Sequence, residues 1–583
     1  MDRSLRGGCQ SSALVARQLP DPSSRNSSVV SLRIRELYAL QAFYRPGEAL
    51  RFRAEIKSTT RQRVETSLTV ARPDGVARRV NGSIDLGRGV TEVDFATKVP
   101  SPGRHGYLVE LEVKDDHGNR ARAIAATDVL RSWRDDPRYG FLSDFGPNDG
   151  GIEDRVARTT RFHLNCLQFY DWMYRHYRLL PPREQFTDAL GRRLSLKTVR
   201  RAVDACHRHG VGALAYAAIY AAEPEFFRRH RKWGLYRPDG SSYMLGKLFH
   251  LMDLTPGSPW VRHLLGDLET TLRAVPFDGF HLDQYGFPRV AYNSAGELRD
   301  LGRDFASFID ASASVTPGPS ADAGNIFNAV NAWPVEHVAR RKQVATYVEV
   351  WPPHVGYADL VGIVRRCHDL APGRPVVLAA YASFLAQKPN ERTAAAGLAL
   401  LSAVIFGAGA WHLLIGEGDA ALTHAYYPKY ARLSPTAIHT LRRYYDFAVG
   451  YREFLRDRSL REVAATFIDG DEPTFGASVP YGSVPKAGQV WAGVRTKPGW
   501  VVISLVNLLD ESDLIWDRRR EAPKTRNVRL KLPNETPIRR CLVASPDGEG
   551  SLAPVLCQVD KSDGRSIEVS LSTWTLVLVE TDR

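Results

Sequence analysis

The sequence predicts a multidomain protein in which a central (β/α)8 TIM barrel is flanked by an N-terminal immunoglobulin-like β-sandwich and a C-terminal antiparallel β-sandwich. Two patterns predict this fold class. Apolar residues alternate with period two near both ends of the chain, and between these regions eight short apolar runs are separated by helical patterns. A chain of 583 residues is also too long for a single core. The predicted parts are a disordered tail (1–28), the first sandwich (29–132), the barrel (133–440) and the second sandwich (441–583).

The first sandwich is predicted from six alternating segments that are separated by turn sequences such as RPGE, RPDG and PSPG. The residues before it contain no apolar stretch of the roughly 7–15 residues that a signal peptide needs, so a cytoplasmic location is expected. Elsewhere the longest apolar stretch, 394–416, is interpreted as a buried helix and a buried strand because Gly407 and Gly409 divide it. We therefore expect a soluble protein without a membrane partner.

The central barrel is predicted from strand-like runs that alternate with helical segments such as SLKTVRRAVDACHRH. An open doubly wound sheet is the alternative, but it would need a glycine-rich phosphate loop after its first strand, and FLSDFGPNDGG is not such a loop. After a helical bridge (435–462), period two returns and predicts the second sandwich. The eight predicted barrel strands are 139–145, 165–171, 212–220, 278–284, 325–330, 345–351, 375–381 and 410–416.

The net charge of +13, from 78 Lys and Arg against 65 Asp and Glu, raises the question of a nucleic-acid partner. The basic runs lie far apart and mostly beside acidic residues, which favours a solvated surface over a phosphate-binding patch. We expect no nucleic-acid partner and a monomer. Six cysteines without a CxxC pair argue against a structural zinc site, so neither a metal nor a cofactor is expected. Whether Cys541 and Cys557 pair is left open.

Active-site groups of a (β/α)8 barrel follow the carboxyl ends of its strands, where this sequence has carboxylates, amides and aromatic rings that suit a sugar. Asp283 and Glu349, at the ends of the fourth and sixth strands, are the candidate pair for glycosidic cleavage. One carboxyl group would protonate the leaving oxygen while the other attacks the sugar or activates water. The alternative is that these carboxylates cap helices or pair with arginines. The candidate substrate-binding residues at the same rim are Asp144, Gln168, Tyr170, Asp171, Trp172, Tyr216, His281, Gln284, Asn331, Trp351, Tyr381 and Trp411.

Most of the rim residues lie in segments that resemble glycoside hydrolase family 66, the dextranases and cycloisomaltooligosaccharide glucanotransferases. The segments run in order from the barrel into the C-terminal domain, so the resemblance covers most of residues 30–583. Among them, FYDW, DGFHLDQ and VEVWP are specific in combination. The resembling segments are LQFYDWMYRH (167–176), FDGFHLDQYG (277–286), FNAVN (327–331), YVEVWP (347–352), PVVLAAY (375–381), GEGDAALTHAYYP (416–428) and VISLVNLL (502–509).

The resemblance implies retaining endo-hydrolysis of α-1,6-glucosidic linkages in dextran or isomaltooligosaccharides. It implies Asp283 as the nucleophile that forms a covalent glycosyl-enzyme and Glu349 as the general acid/base. Cyclising members carry an inserted carbohydrate-binding module. No interval between the predicted barrel strands is long enough for such a module, so hydrolysis is favoured over cyclisation. A glucanotransferase that forms cyclic or longer isomaltooligosaccharides is the alternative. A non-catalytic glucan-binding protein is the alternative of another class.

Two features of the chain differ from what the resemblance implies. Dextran-degrading members are expected to be secreted, whereas no signal peptide is visible here. The family pattern has an acidic residue near Leu414, so a substrate contact at that position is in doubt.

Overall fold

The computed structural model of the chain describes residues 15–19, 32–99, 105–315, 323–463, 476–532, 537–548, 552–559 and 565–582. The chain divides into two compact units. The first comprises Met1–Arg131 with Val449–Tyr451, and the second comprises Ser132–Ala448 with Arg452–Arg583. The region of the predicted barrel and most of the region of the predicted second sandwich therefore lie together in the second unit.

The first unit consists of two four-stranded antiparallel sheets. Its strands are β1 (Val15–Leu19), β2 (Leu32–Ala39), β3 (Leu50–Ser58), β4 (Gln62–Arg72), β5 (Gly75–Leu86), β6 (Gly89–Thr97), β7 (Gly106–Asp115) and β8 (Arg120–Asp128). The sheet orders are β1-β6-β3-β2 and β5-β4-β7-β8. Alternate residues such as Phe52 and Val109 point from both sheets into one apolar core, as the period-two pattern requires.

Strand β1 lies within the predicted disordered tail, which otherwise stays a prediction. This short alternating segment pairs antiparallel with β6, which offers it the unpaired backbone groups of an edge strand. Residues 1–14 and 20–28 of the predicted tail lie outside the described residues.

The second unit begins with a curled sheet of eleven strands and several short hairpins. Its strands are β9 (Tyr139–Leu142), β10 (Cys166–Phe169), β11 (Gln185–Thr187), β12 (Arg193–Ser195), β13 (Gly212–Ala218), β14 (Ala221–Ala222), β15 (Met244–Leu245), β16 (Phe249–Leu251), β17 (Gly279–Asp283), β18 (Val290–Tyr292), β19 (Leu298–Asp300), β20 (Ile326–Asn328), β21 (Thr346–Glu349), β22 (Val376–Ala379), β23 (Trp411–His412), β24 (Ile415–Gly416), β25 (Ala420–Leu422) and β26 (Tyr430–Arg432).

The order of the curled sheet is β23-β22-β21-β20-β17-β13-β10-β9-β24-β25-β26. In this sheet the neighbouring strands β9, β10, β13, β17, β20, β21 and β22 all pair in parallel. The short segment that contains β23 and β24 pairs with β22 through β23 and with β9 through β24. The sheet therefore returns on itself and forms a barrel-like domain. Each of the eight predicted barrel strands contains an observed strand of this sheet. The prediction succeeds because parallel strands that are covered on both faces have continuous apolar sequences.

Helices follow most strands of the curled sheet. Two of them begin at serine N-caps: the Ser195 side chain accepts from the Thr198 N–H, and the Ser258 side chain accepts from the Val261 N–H. None of the helices in the described ranges combines the length and the apolar character needed to cross a membrane. The helices are α1 (Ile152–Thr159), α2 (Leu196–Arg208), α3 (Pro224–Arg229), α4 (Pro259–Ala274), α5 (Leu301–Val315), α6 (Val335–Val338), α7 (Tyr357–Leu370), α8 (Glu391–Gly407), α9 (Pro435–Gly450) and α10 (Arg452–Leu455).

The C-terminal part of the second unit forms two further sheets that share an apolar core. Its strands are β27 (Arg461–Val463), β28 (Gly476–Ala477), β29 (Tyr481–Gly482), β30 (Val490–Lys497), β31 (Trp500–Asn507), β32 (Arg526–Lys531), β33 (Ile538–Ala544), β34 (Val555–Cys557), β35 (Ser566–Leu571) and β36 (Trp574–Thr581). The larger sheet has the order β27-β30-β31-β36-β33-β34, and β29 pairs with β30; the smaller has the order β28-β32-β35. The buried Trp491 of β30 lies against Gly407 at the end of α8, so these sheets pack on the barrel-like domain.

Candidate active site

Two partly exposed carboxylates end strands that are otherwise buried. Asp283 is the last residue of β17 and Glu349 is the last residue of β21, and every earlier residue of both strands is buried. The strand between them in the sheet is β20. Because the three strands are parallel, their carboxyl ends meet at the same rim. The structure therefore brings together the two carboxylates that the sequence predicts as a pair.

Asn328, the last residue of β20, bridges the two carboxylates. Its Nδ2 donates to Asp283 Oδ1 at 2.7 Å and to Glu349 Oε2 at 3.0 Å. Because both bonds share one nitrogen, the two bridged oxygens lie no more than about 5.7 Å apart, and this upper limit is below the roughly 6.5–9.5 Å that separates the carboxyl groups of inverting glycosidases. This spacing suits direct attack by one carboxylate better than activation of a water molecule between the two.

Two tyrosines donate to the remaining oxygens of the pair. The Tyr216 hydroxyl donates to Asp283 Oδ2 at 2.6 Å, and the Tyr381 hydroxyl donates to Glu349 Oε1 at 2.6 Å. Tyr216 belongs to β13, the neighbour of β17, and Tyr381 follows β22, the neighbour of β21. Both carboxylates are therefore oriented by rigid strands on either side of them.

The electrostatics of the site disfavour the ionised form of Asp283. Burial and the nearby Glu349 carboxylate raise the pKa of Asp283 to about 7, although bonds from Tyr216, Asn328 and the Gln284 backbone oppose the rise. The ionised form of Asp283 is therefore disfavoured beside the Glu349 carboxylate. The Gln284 N–H can donate but cannot accept, so its bond favours the ionised form of Asp283. The pair can thus supply one carboxylate and one carboxylic acid.

Most of the chain matches a known protein family. The profile of glycosyl hydrolase family 66 matches residues 41–578, which includes the curled sheet and the C-terminal sheets. The chain belongs to this family. The resemblance seen in the sequence is thereby confirmed.

Among curated family 66 relatives, two cycloisomaltooligosaccharide glucanotransferases from Niallia circulans are 27% and 26% identical to this chain, over 60% and 64% of its length. The matched regions cover 38% and 41% of those proteins, so the chain spans about two fifths of the length of the curated relatives it matches.

Solved structures show the same likeness in fold. A cycloisomaltooligosaccharide glucanotransferase from Paenibacillus sp., complexed with cycloisomaltoheptaose, superposes with a TM-score of 0.85 at 18% identity, over 94% of this chain and 100% of that chain. A noncanonic maltogenic α-amylase, AmyB from Thermotoga neapolitana, superposes with a TM-score of 0.50 at 10% identity, over 77% of this chain and 99% of that chain. The chain has the multidomain fold of the solved family 66 glucanotransferase.

Several of the predicted substrate-binding residues of this family 66 chain lie at the same rim as the carboxylate pair. Asp144 follows β9 and accepts from the Tyr430 hydroxyl at 2.7 Å. Tyr170 follows β10 and packs against Tyr216, with 5.0 Å between ring centres. Asp171 comes next, and burial raises the pKa of its carboxyl group. These positions stay predictions as sugar contacts.

Asn331 and Trp351 form a second group at the rim. The Trp351 N–H donates to Asn331 Oδ1 at 2.7 Å, and Asn331 Nδ2 donates to the Pro352 carbonyl at 3.0 Å. The Trp351 side chain is 37% exposed, and its ring lies 6.0 Å from the ring of Tyr381. Asn331 therefore fixes the backbone at Trp351 and Pro352. The exposed Trp351 ring lies beside Tyr381, which donates to Glu349.

Three predicted substrate-binding residues lie buried beneath the pair and bond to protein groups. Gln168 accepts from the Tyr427 hydroxyl at 3.4 Å. His281 Nδ1 lies 3.0 Å from the Tyr139 hydroxyl. Gln284 Nε2 donates to the carbonyl of Asn328 at 3.1 Å. We interpret these residues as supports for the rim, and their sugar contacts stay predictions.

Trp172 and Trp411 are fully buried in the structure, and their roles as substrate-binding residues stay predictions. Trp172 is completely buried against Phe277, and its Nε1–H donates to the carbonyl of Tyr216. Trp411 begins β23, and its Nε1–H donates at 2.7 Å to Asp136, which precedes β9. The ring of Trp411 therefore lies at the amino ends of the strands, opposite the rim. Strand position alone does not show which end of a barrel a large ring fills.

Sequence reasoning missed two residues that shape the site. Asn328 is not among the predicted substrate-binding residues, although its amide makes the bridge. Tyr427, in the loop between β25 and β26, stacks on Tyr170 with ring centres 4.3 Å apart. Its hydroxyl lies 3.4 Å from that of Tyr347. The signal for Tyr427 was the aromatic HAYYPKY stretch after the eighth predicted strand.

No cluster of three or more His, Cys, Asp and Glu side chains that could hold a metal ion occurs in the part of the chain that the structure describes.

Proposed function

We propose that the chain is a retaining glycosidase that cleaves α-1,6-glucosidic linkages in dextran or isomaltooligosaccharides. The observation that carries this proposal is the bridge from Asn328 to both Asp283 and Glu349, since it sets a spacing below that of inverting enzymes. The choice of an α-1,6-linked glucan is supported by membership of family 66 and by the names of the relatives.

In the proposed first step, Asp283 attacks the anomeric carbon while Glu349 transfers its proton to the glycosidic oxygen. The carbon–oxygen bond to the leaving sugar breaks, and a β-linked glycosyl ester of Asp283 forms. In the second step the Glu349 carboxylate removes a proton from an acceptor hydroxyl, whose oxygen attacks the anomeric carbon and releases Asp283. Two inversions at that carbon retain the α configuration.

The acceptor in the second step distinguishes hydrolysis from transfer. Water as the acceptor gives the endo-hydrolysis that the sequence favours. A sugar hydroxyl gives longer or cyclic isomaltooligosaccharides, and this second candidate is supported by the glucanotransferase names of the relatives. The solved glucanotransferase is matched over 100% of its chain, so the lack of an inserted module does not by itself exclude transfer.

We also propose the finer fold and domain assignments. The curled sheet with its helices is interpreted as a (β/α)8 barrel over 133–440. The regions 29–132 and 441–583 are interpreted as the β-sandwiches that flank it. The parallel pairing from β9 to β22 and the two shared cores support this proposal.

The roles of the pair can be tested with azide as an alternative nucleophile. Asp283→Ala and Glu349→Ala should each lower kcat on dextran by several orders of magnitude. Glu349→Ala should keep activity on an isomaltosyl fluoride, whose leaving group needs no proton, and azide should yield the α-glycosyl azide. With Asp283→Ala, azide should enter the empty space of the nucleophile and yield the β-glycosyl azide.

The matched control is Glu297→Gln, because Glu297 is an exposed carboxylate of the hairpin that follows β17. This variant should keep its activity on dextran. Normal activity of Asp283→Ala, or a β-azide from Glu349→Ala, would contradict the assigned roles. Binding of dextran with no turnover by the wild-type protein would instead support the non-catalytic alternative.

Product analysis distinguishes the two acceptors. After incubation with dextran, hydrolysis should give linear oligosaccharides whose reducing ends accumulate with time. Cyclic products lack one water molecule and have no reducing end, so mass spectrometry together with a reducing-sugar assay identifies them. Cyclic or lengthened products as the main species would overturn hydrolysis in favour of transfer.

A further inference from the structure

Two cysteines lie directly opposite each other at the edge of the larger C-terminal sheet. Cys541 of β33 is in register with Cys557 of β34, and β34 is the last strand of that sheet. Both residues are free thiols in this structure. The flanking side chains of Val555 and Leu556 are 61% and 65% exposed, so β34 is held mainly by its backbone pairing.

The backbone pairing of the neighbouring strand shows how closely the two cysteines approach. The Thr581 N–H donates to the Gly499 carbonyl, so Thr581 and the other odd-numbered residues of β36 turn their backbone groups away from β33. Val579, which is opposite Cys541, is one of these. Cys541 therefore directs its own backbone groups to Cys557. Directly opposite residues of this type have Cα atoms about 5.5 Å apart, within the range of about 4.4–6.8 Å for disulfides.

The two side chains also share one face of the sheet, as opposite residues in an antiparallel pair must. Cys541 is completely buried in the core between the C-terminal sheets, and Cys557 packs against the same core. The Cys557 thiol lies 3.5 Å from the carbonyl of Glu568 in β35, which also places it between the two sheets. It is half-buried, so a small oxidant can reach it.

We propose that Cys541 and Cys557 form a redox-controlled cross-strand disulfide that ties β34 to β33. With oxidised glutathione as the oxidant, the Cys557 thiolate attacks one glutathione sulfur and releases one glutathione. The Cys541 thiolate then attacks the Cys557 sulfur and releases the second. Two protein thiols are oxidised and one glutathione disulfide is reduced, and the two cysteine protons pass to the two glutathione thiolates that leave.

The order of attack follows from burial. Burial raises the pKa of Cys541 to about 12, whereas Cys557 is the more accessible thiol. Such a bond persists in an oxidising compartment and is reduced in a reducing cytosol. Catalytic residues take no part, so the proposal is independent of the proposed function.

The test uses the full chain, first reduced and then equilibrated with oxidised glutathione. Free thiols are alkylated under denaturing conditions, and peptides are identified by mass spectrometry. We expect a linked peptide that contains Cys541 and Cys557 and has lost two hydrogens. Amide hydrogen exchange in β34 should slow on oxidation, because opening of the edge strand becomes restricted.

Single variants make the result specific. Cys541→Ser should leave a stable mixed disulfide of Cys557 with glutathione, and Cys557→Ser should leave Cys541 reduced; neither should show slowed exchange in β34. Cys367, which is buried in α7, should stay a thiol in every sample. A wild-type protein that keeps both thiols, or that keeps glutathione on Cys557, would overturn the proposal.

Discussion

At the scale of single residues, Asn328 lies at the centre of the candidate site because its amide nitrogen serves both carboxylates. An amide is neutral and carries two N–H groups, so it can orient two carboxylates without neutralising either. A lysine at this position would favour two ionised carboxylates. The residue type therefore fits the proposed mechanism, in which one carboxyl group of the pair is protonated and the other is ionised.

Replacement of Asn328 by alanine should lower kcat on dextran about 100-fold, the usual cost of losing one preorganised donor. The variant should also change the pH profile. Asp283 must be ionised to attack, and its bond from Asn328 lowers its pKa; without that bond the pKa rises. The acid limb of the profile of kcat/KM against pH should therefore shift to higher pH in the variant than in the wild-type enzyme.

The control for this experiment is Asn527→Ala, an exposed asparagine of β32 in the C-terminal sheets. It should leave both kcat and the pH profile unchanged. An Asn328→Ala enzyme with an unchanged acid limb would show that the bridge does not stabilise the ionised nucleophile.

Residue types at strand ends made part of this site predictable. Asp283 and Glu349 each end a continuous apolar run, and a carboxylate in that position is visible in the sequence. The bridge was not visible, because Asn328 is 45 residues from Asp283 and 21 from Glu349 along the chain. Its role depends on which strand lies between the other two and on the rotamer that the packed strands allow.

At the scale of elements, β17 depends on a glycine at its start. Gly279 has a φ of +142°, and a Cβ atom there would lie 2.1 Å from the Gly324 carbonyl oxygen. This close approach lets the chain before β20 pass beside β17, and β17 carries Asp283 at its other end. The position of the proposed nucleophile therefore rests on backbone packing at the opposite end of the strand.

Gly279→Ala should destabilise the protein by about 1–3 kcal/mol or more, because the new methyl group meets backbone that cannot rotate away. Activity on dextran should also fall, because the shift of β17 displaces Asp283. The matched control is Gly266→Ala in α4, where a Cβ atom meets nothing within 4 Å and alanine favours the helix by up to about 1 kcal/mol. Urea unfolding followed by tryptophan fluorescence measures both variants, and equal unfolding midpoints would contradict this account.

At the scale of the whole molecule, the charge of +13 has no obvious use with an uncharged glucan. If the proposed substrate is correct, kcat/KM on isomaltooligosaccharides should vary less than about twofold between roughly 20 and 500 mM salt, because screening acts on charged ligands. Steady-state rates at constant pH measure this. A steep decline with salt would indicate that the basic surface helps to bind an acidic ligand or group.

The sequence by itself determined the order of strands and helices, the two regions of period two and the carboxylate pair. These follow from local patterns, since an apolar run and the polar residue that ends it are neighbours in the chain. The tertiary structure decided that Asn328 joins the pair, that Tyr216 and Tyr381 complete it, and that Trp172 and Trp411 are fully buried. The physical reason is that the curled sheet sets which strands are neighbours and which end each ring occupies. The alternation of residues within one strand predicts neither the neighbours of that strand nor the end of the barrel that a ring occupies.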